Sequence, residues 1–376
     1  MMTTLFWVSL VVLGYAYVGY PLVLWVVARV WGREPRRGDQ LPMVSILIPA
    51  YDEAAHIADK LTNSLALDYP KSRVEIVVAG DGSTDPTNAI VTPFAIQGVR
   101  LLALADHVGK AVLLSRTVPL VRGEIVVLTD ASSILDPQAL RRLVRNFADP
   151  QVGCVSGTYR LAGTPDLRAQ GEGLYWRYET FLKCQESQLH SILGAHGACY
   201  AIRRRLFQQL PAHAINDDYL IPMQVIAQGY RAIYEPEAVA WEREHTSVQG
   251  ELARRRRIAA GNCQQILQLR QILHLRSGWV VFCVVSHKVL RTLAPLLMIT
   301  LLVSSLWLPG PWATVAVGSQ GLLYASALAG YLCQRRGWPI RWLSLPFYFC
   351  LGNLAMLSGL LTFCVRRQRV AWERAR

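Results

Sequence analysis

From residue 5 to residue 28 the chain runs 24 residues without a formal charge. A helix needs about 20 apolar residues to cross the hydrocarbon core of a bilayer, so residues 1–30 are expected to hold an N-terminal transmembrane helix. Arg29, Arg33, Arg36 and Arg37 follow at once. Basic residues stay on the cytoplasmic side. This puts the N-terminus outside and the sequence that follows in the cytoplasm. Neither a basic leader nor a small-residue cleavage site flanks the stretch, so it is not expected to be a cleaved signal peptide.

Three more apolar stretches lie late in the chain, at 292–308, 312–333 and 343–364, and Pro309-Gly310-Pro311 makes a tight connection between the first two. The basic segment 334–341 is expected in the cytosol. Residues 277–291 mix WVVFCVV with His287, Lys288 and Arg291 and read as an interfacial amphipathic helix. Three late spans put the basic tail, 365–376, outside, against the charge rule. Either one late stretch is re-entrant, with 343–364 and its Pro346, Gly352 and Asn353 the candidate, or the chain spans from Trp279 onward. Composition agrees with a multi-pass membrane protein: 17% of residues are charged, against about 25% in soluble domains. The net charge of +13 is assigned to membrane flanks and not to nucleic acid. Eight cysteines without a CxxC pair read as reduced packing residues. The oligomeric state stays open.

The middle, 40–276, alternates short β-branched runs with mixed segments. MVSILIP (43–49), VEIVVAG (74–80), VRLLALA (99–105) and EIVVLTD (124–130) start 20 to 30 residues apart, the spacing of βαβ units. An α/β fold with a doubly wound, mostly parallel sheet is expected. Ligands of such sheets sit beyond the carboxyl ends of the strands. The residues there are Pro49 to Glu53, Gly80 to Asp85, Asp106 to Lys110, and Asp130 to Ser132. Asp85 and Asp136, ahead of Pro86 and Pro137, read as helix caps.

In this order and spacing PAYDEA (49–54), GDGSTD (80–85), VGK (108–110) and TDAS (129–132) resemble the nucleotide-sugar half, 40–160, of family 2 inverting glycosyltransferases. GAHGACYAIRR (194–204), NDDYLIP (216–222), GYRAIYEPEA (229–238) and RRRRIAAGNCQQ (254–265) resemble the acceptor half, 161–276. The membrane-embedded members related to cellulose, chitin, hyaluronan and poly-N-acetylglucosamine synthases are the nearest in pattern. The resemblance implies a GT-A-like fold, a UDP-sugar donor and a glycan or lipid-linked acceptor. The catalytic domain would be cytosolic and the protein would lie in the cytoplasmic membrane. It assigns Pro49, Tyr51, Glu53 and Asp81 to the base and ribose, with Asp81 accepting the uracil N–H; the alternative for Asp81 is an Asx-turn acceptor. Lys110 suits a phosphate or sugar hydroxyl, or is a solvated lysine at a helix start. Asp130 would bind Mg²⁺ or Mn²⁺ with the diphosphate, but Ser132 stands where the family's second acid is found. Gly197 would let the acceptor sugar approach the backbone.

Asp218 would be the general base, with Asp217 beside it raising its pKa; the alternative is that the pair caps a helix. In the synthases' Gln-x-x-Arg-Trp pattern only Arg257 carries over, as a diphosphate ligand, since Arg254 and Ile258 replace the glutamine and tryptophan. The alternative for the run 254–257 is a basic surface for anionic lipid. Tyr175, Trp176, Tyr178 and His196 read as acceptor contacts or as packing. Three readings of function follow: extension of a β-linked glycan, perhaps with export; transfer of one sugar to a lipid-linked or cell-surface acceptor; and a membrane-tethered basic binding protein.

Overall fold

The computed structural model describes residues 1–161, 167–242, 259, 261, 262, 264, 278–336, 338 and 340–364. The four β-branched runs form strands β1 (Val44–Ala50), β2 (Val74–Asp81), β3 (Val99–Leu104) and β4 (Ile125–Leu128). β5 (Ser133–Leu135), β6 (Val152–Leu161), β7 (Tyr200–Arg203) and β8 (Arg231–Glu242) complete one sheet of order β3-β2-β1-β4-β7-β6-β8-β5. β1 pairs in parallel with β2 and β4, and β2 with β3. The sheet is mixed beyond β4. β7 runs antiparallel to β4 and β6, β6 and β8 are parallel, and β5 is antiparallel to β8. The chain winds outward from β1 to β3 and then crosses back to β4. The switch point therefore falls between β1 and β4, and sheets of this kind bind their ligands at the carboxyl ends of the strands beside it.

Period-2 alternation divides the core between the two faces of the sheet. From β1, Val44, Ile46 and Ile48 pack with Ile57 and Leu61 of α2 (Ile57–Leu65) and with Leu140 and Leu143 of α5 (Ala139–Val144). α1 is the N-terminal helix, Met2–Trp31, and α3 is a short helix, Thr87–Val91. On the other face Leu47, Val77 and Val126 pack with Leu113 and Leu114 of α4 (Lys110–Thr117) and with Leu182 and Leu189 of α6 (Leu167–Leu189). The same cluster takes in Tyr20, Leu24 and Ala28 of α1, and Val280 and Val284 of a late helix. α7 (Asp217–Ala227) lies against β8 and β6.

Among the described residues four helices are long and apolar enough to cross a membrane: α1, α8 (Gly278–Ser305), α9 (Pro311–Arg335) and α10 (Arg341–Cys364, apolar from Trp342). Large apolar side chains such as Val11, Leu22, Leu322 and Leu361 point outward from them, the surface expected against lipid and not water. Of the segment read as interfacial, residues 278–291 are continuous with the stretch that follows, in α8. Its polar residues turn inward: His287 is buried, and Arg291 Nη1 donates to Glu179 Oε1 at 2.6 Å. α10 runs unbroken through Pro346, Gly352 and Asn353, with Tyr17 donating to Asn353 Oδ1 at 3.2 Å.

Candidate active site

The loops that leave β1 and β2 are tied to each other. Asp52, at φ 51°, accepts from the backbone N–H of Thr84 (2.7 Å) and of Asp85 (3.2 Å). Glu53 is buried, and its N–H donates to Thr87 Oγ1 at 2.8 Å. Asp85 accepts from Thr87 N–H at 3.0 Å and Asp136 from Gln138 N–H at 3.1 Å, each closing an Asx turn just ahead of a helix; the cap positions themselves fall to Pro86 and Gln138, so neither acid is the helix cap expected of it. Pro49 is buried in β1, opposite Ala79 of β2.

Asp81, at the end of β2, is fully buried, and its partners lie in the loop that follows β3. It accepts from Val108 N–H (2.9 Å) and Gly109 N–H (3.0 Å), and His107 Nδ1 lies 2.9 Å from its Oδ2. It is neither an Asx-turn acceptor nor open to a ligand; the loop 106–109 covers it. His107 also stacks on Tyr51, with ring centroids 3.9 Å apart and planes at 26°. The parallel pairing of β2 with β3 is what brings His107 to Asp81.

The charged side of the site comes from three separate ends, two of them acidic: the turn after β4 with Asp130, the start of α7 with Asp217 and Asp218, and the start of α4 with Lys110. Lys110 opens α4 and reaches across to Asp130 Oδ1 at 3.0 Å and Asp217 Oδ2 at 3.4 Å. Its recessed position favours the neutral amine, but Asp130 and Asp217 outweigh this and push its pKa up. This is no solvated helix-start lysine. Asn216, not Asp217, takes the cap position of α7, and no side chain makes a cap hydrogen bond there. The alternative in which the acid pair only caps the helix therefore falls away. Asp217 receives Tyr200 Oη at 3.4 Å. Asp218 sits half-buried; desolvation first, then the charges of Asp217 and Asp130, push its carboxyl up to about 6 against the pull of Lys110 and Lys183.

Gly197 closes the ring. A methyl group on it would lie 3.5 Å from Asp130 Oδ2 and 3.7 Å from Asp218 Oδ2. Gly197 thus lies between the two carboxylates with no side chain of its own. Below Asp130, Lys60 is fully buried and donates to Thr129 Oγ1 and the Ser133 carbonyl, each at 2.7 Å; burial pulls its pKa down to about 7. It pins the turn that presents Asp130. Its signal was in the sequence: Ile57, Lys60, Leu61 and Ser64 share one face of α2 at helical spacing.

His196 and Trp176 pack as aromatics, Trp176 against Tyr159 (5.1 Å) and His196 (5.5 Å). Tyr178 Oη donates to the Tyr17 carbonyl at 2.9 Å, tying α6 to α1. Arg257 with the rest of 254–257, and the side chain of Tyr175, lie outside the described residues.

Among the described residues no three His, Cys, Asp or Glu side chains converge to hold a metal ion unaided. Asp130 offers one hard oxygen ligand beside Gly197, and Mg²⁺ or Mn²⁺ accepts one or two carboxylates when phosphates and water fill the rest of the shell. The donor set fits a cation shared with a bound diphosphate.

The model of the family described as glycosyltransferase-like family 2 matches residues 42–261. The probable glycosyltransferase YdaM of Bacillus subtilis is 27% identical over 266 residues, covering 65% of this chain and 61% of its own. The poly-β-1,6-N-acetyl-D-glucosamine synthase of Staphylococcus aureus is 27% identical over 241 residues, covering 61% of this chain and 57% of its own. The chain therefore spans less than two thirds of the length of these curated relatives. Among solved structures, the mannosyltransferase PcManGT from Pyrobaculum calidifontis, described in complex with GDP-Man and Mn²⁺, shares the fold. Its TM-score is 0.73 over 97% of this chain and 100% of its own, at 24% identity. With more than half of its length matched, this chain belongs to the family 2 glycosyltransferases and is an enzyme of that class.

Proposed function

We propose that the enzyme is embedded in the cytoplasmic membrane and transfers a sugar, with inversion, from a UDP-sugar to a growing β-linked glycan. The observation that carries this reading is the convergence of Lys110, Asp130, Asp217 and Asp218 around Gly197 at the switch point. The likeness to a glycan synthase supports it.

Each residue has a task. Tyr51 offers a flat face for the base, and Asp81 holds the loop 106–109 and His107 beside it. Lys110 brings a point charge to the diphosphate. Asp218 takes the proton from the attacking acceptor hydroxyl: with a pKa near 6 it is ionised at neutral pH and still basic enough to act. Asp217 raises that basicity and anchors Lys110. A divalent cation, when bound, would neutralise the leaving diphosphate, and Asp130 is the residue that would hold it. Arg257 would add a bidentate contact to the same phosphates.

The second reading, one sugar onto a lipid-linked or cell-surface acceptor, is favoured by Ile258 standing where the synthases carry a tryptophan. The purified full-length protein, given Mn²⁺ and radiolabelled UDP-hexoses, UDP-N-acetylhexosamines and GDP-mannose in turn, separates them. Label from a UDP-sugar should enter a product cut only by β-specific glycosidases. A product one sugar longer than a lipid carrier selects the second reading, preferential use of GDP-mannose overturns the donor, and no transfer from any donor overturns both.

The cytosolic placement of the catalytic domain rests on the arginines after α1. A cytosol-active reporter fused after Arg37 should be active and its periplasm-active counterpart silent; the reverse pattern overturns both the topology and the cytosolic donor.

A further inference from the structure

Behind Asp218, on the side facing α8, lies a cluster of charged groups that the transfer step does not use. Glu179, Lys183 and Glu186 project from α6; His287, Lys288 and Arg291 project from α8. Both acids have partners. Glu179 Oε1 accepts from Arg291 at 2.6 Å, and its Oε2 lies 3.6 Å from His287 Nε2. Burial pushes Glu179 up, but Arg291 and His287 outweigh it and hold the carboxyl well below its usual range. Glu186 Oε1 is 2.6 Å from His287 Nδ1 and accepts from Tyr20 Oη at 2.8 Å.

Lys183 is left with a different set of contacts. Its Nζ donates to the carbonyl of Gly194 at 2.5 Å and lies 6.0 Å from the centre of the Tyr234 ring. Gly194 starts the loop that carries Gly197. It adopts φ 150°, and the next N–H, that of Ala195, donates to the Asp218 carbonyl at 2.8 Å. His196 N–H then donates to Ser156 Oγ at 3.0 Å. The loop is therefore hung from three points: Lys183 on α6, Asp218 on α7 and Ser156 on β6.

We propose that Lys183 is a positioning residue for the transfer reaction. Through the Gly194 carbonyl it fixes the acceptor loop against Asp218, and it sets a cation on the α6 side of the base. The inference rests on the reading of Asp218 as general base.

The charges around the pair are consistent with this. Asp218 faces Asp217 on its own helix, Asp130 from the end of β4, Lys110 from α4 and Lys183 from α6. Burial and the two acids favour the protonated form; Lys110 and Lys183 oppose them. Lys183 in turn faces Glu179 and Glu186 on its own helix, Lys288 from α8 and Asp218 from α7, with Cys154 of β6 nearby. Burial first, then Lys288, pull its pKa down to about 8, so the ammonium persists where the base has to work. Lys288 lies over the ring of Tyr219, 5.9 Å from its centre, and so brings the charge of α8 to the residue next to the base.

The test compares pH profiles of kcat/KM for the full-length enzyme and its Lys183→Met, Lys183→Gln and Lys183→Arg variants. Loss of a nearby cation raises a carboxyl pKa. The acid limb should therefore move up by about half to one pH unit in the Met and Gln variants, so that their deficit against wild type is about three- to tenfold larger at pH 5.5 than at pH 8. Arginine keeps both the charge and the donor, and should leave the limb in place. If Lys183→Met does not fold, the more polar Lys183→Gln carries the same comparison. A deficit of equal size at every pH overturns the proposal and leaves Lys183 a packing residue, as does a shifted limb in the arginine variant. Asp218→Asn distinguishes the two levels of argument. If it abolishes turnover while no Lys183 variant moves the limb, the base stands and this inference fails. If it stays active, the base assignment itself fails.

Discussion

Asp218→Asn should lower turnover by about 10²- to 10⁴-fold, the range general base catalysis contributes, with donor binding near that of wild type. Asparagine keeps the size and hydrogen bonding of the side chain and removes only its basicity. Folding is not expected to confound the result. Burial and the neighbouring acids raise the Asp218 pKa from its ordinary 3.8 to about 6 in the folded chain, so the site loses stability as pH rises between those two values and carries the full cost above the higher one. Neutralising the position should leave the melting temperature at neutral pH unchanged or raised. In the wild-type enzyme the charged form is the active one. Activity should fall about tenfold per unit as pH drops below about 6 and be flat above it, and the variant should lack this limb. Initial rates across pH with a saturating donor decide the matter; activity within threefold of wild type ends the assignment.

Removal of the divalent cation should stop transfer, and Mg²⁺ or Mn²⁺ should restore it at concentrations that reflect a thin ligand set. Asp130→Asn should cost about a hundredfold or more, because it weakens the hold on the cation that would stabilise the developing anion of the leaving diphosphate, and added metal should not rescue it. Ser132→Asp, which restores a second acid beside the first, should lower the metal concentration needed for half-maximal rate. Asp130 also holds Lys110 at 3.0 Å, so the Asp130 variant is to be read beside Lys110→Met. A loss common to both marks the ion pair; a metal response lost only in the first marks the cation ligand. Full activity of the wild-type enzyme in chelator would falsify the metal assignment.

The first half of the sheet was legible because its runs are short, β-branched and evenly spaced. β1 to β4 appear within a residue or two of those runs, with their acids at the carboxyl ends. The adjacency of Asp217 and Asp218 could be read directly. That Asp130 and Lys110 join them could not, since more than 85 residues separate Asp130 from Asp217 and only the pairing of β4 with β7 brings these regions together. His107 and Lys183 stayed silent for the same reason: each has its partner on another element. The interfacial reading of 277–291 assumed that His287, Lys288 and Arg291 meet water or headgroups. Their surroundings are supplied by α6, about a hundred residues earlier. A lysine in a sequence carries no sign of burial unless, like Lys60, it occupies the apolar face of a helix.

The cluster that joins Tyr20, Leu24 and Ala28 of α1 with Val280 and Val284 of α8 also contains Leu47, Val77 and Val126 of the sheet. A boundary at residue 40, natural from the sequence, cuts through this cluster. Residues on either side of it cannot be exposed without opening the same packed interior, and interiors packed to crystal density rarely separate piecemeal. The sheet and the two helices should therefore melt as one cooperative unit, with amide exchange in β1 and β4 limited by the same opening that frees α1. Catalytic competence and seating in the bilayer would then be lost in a single transition.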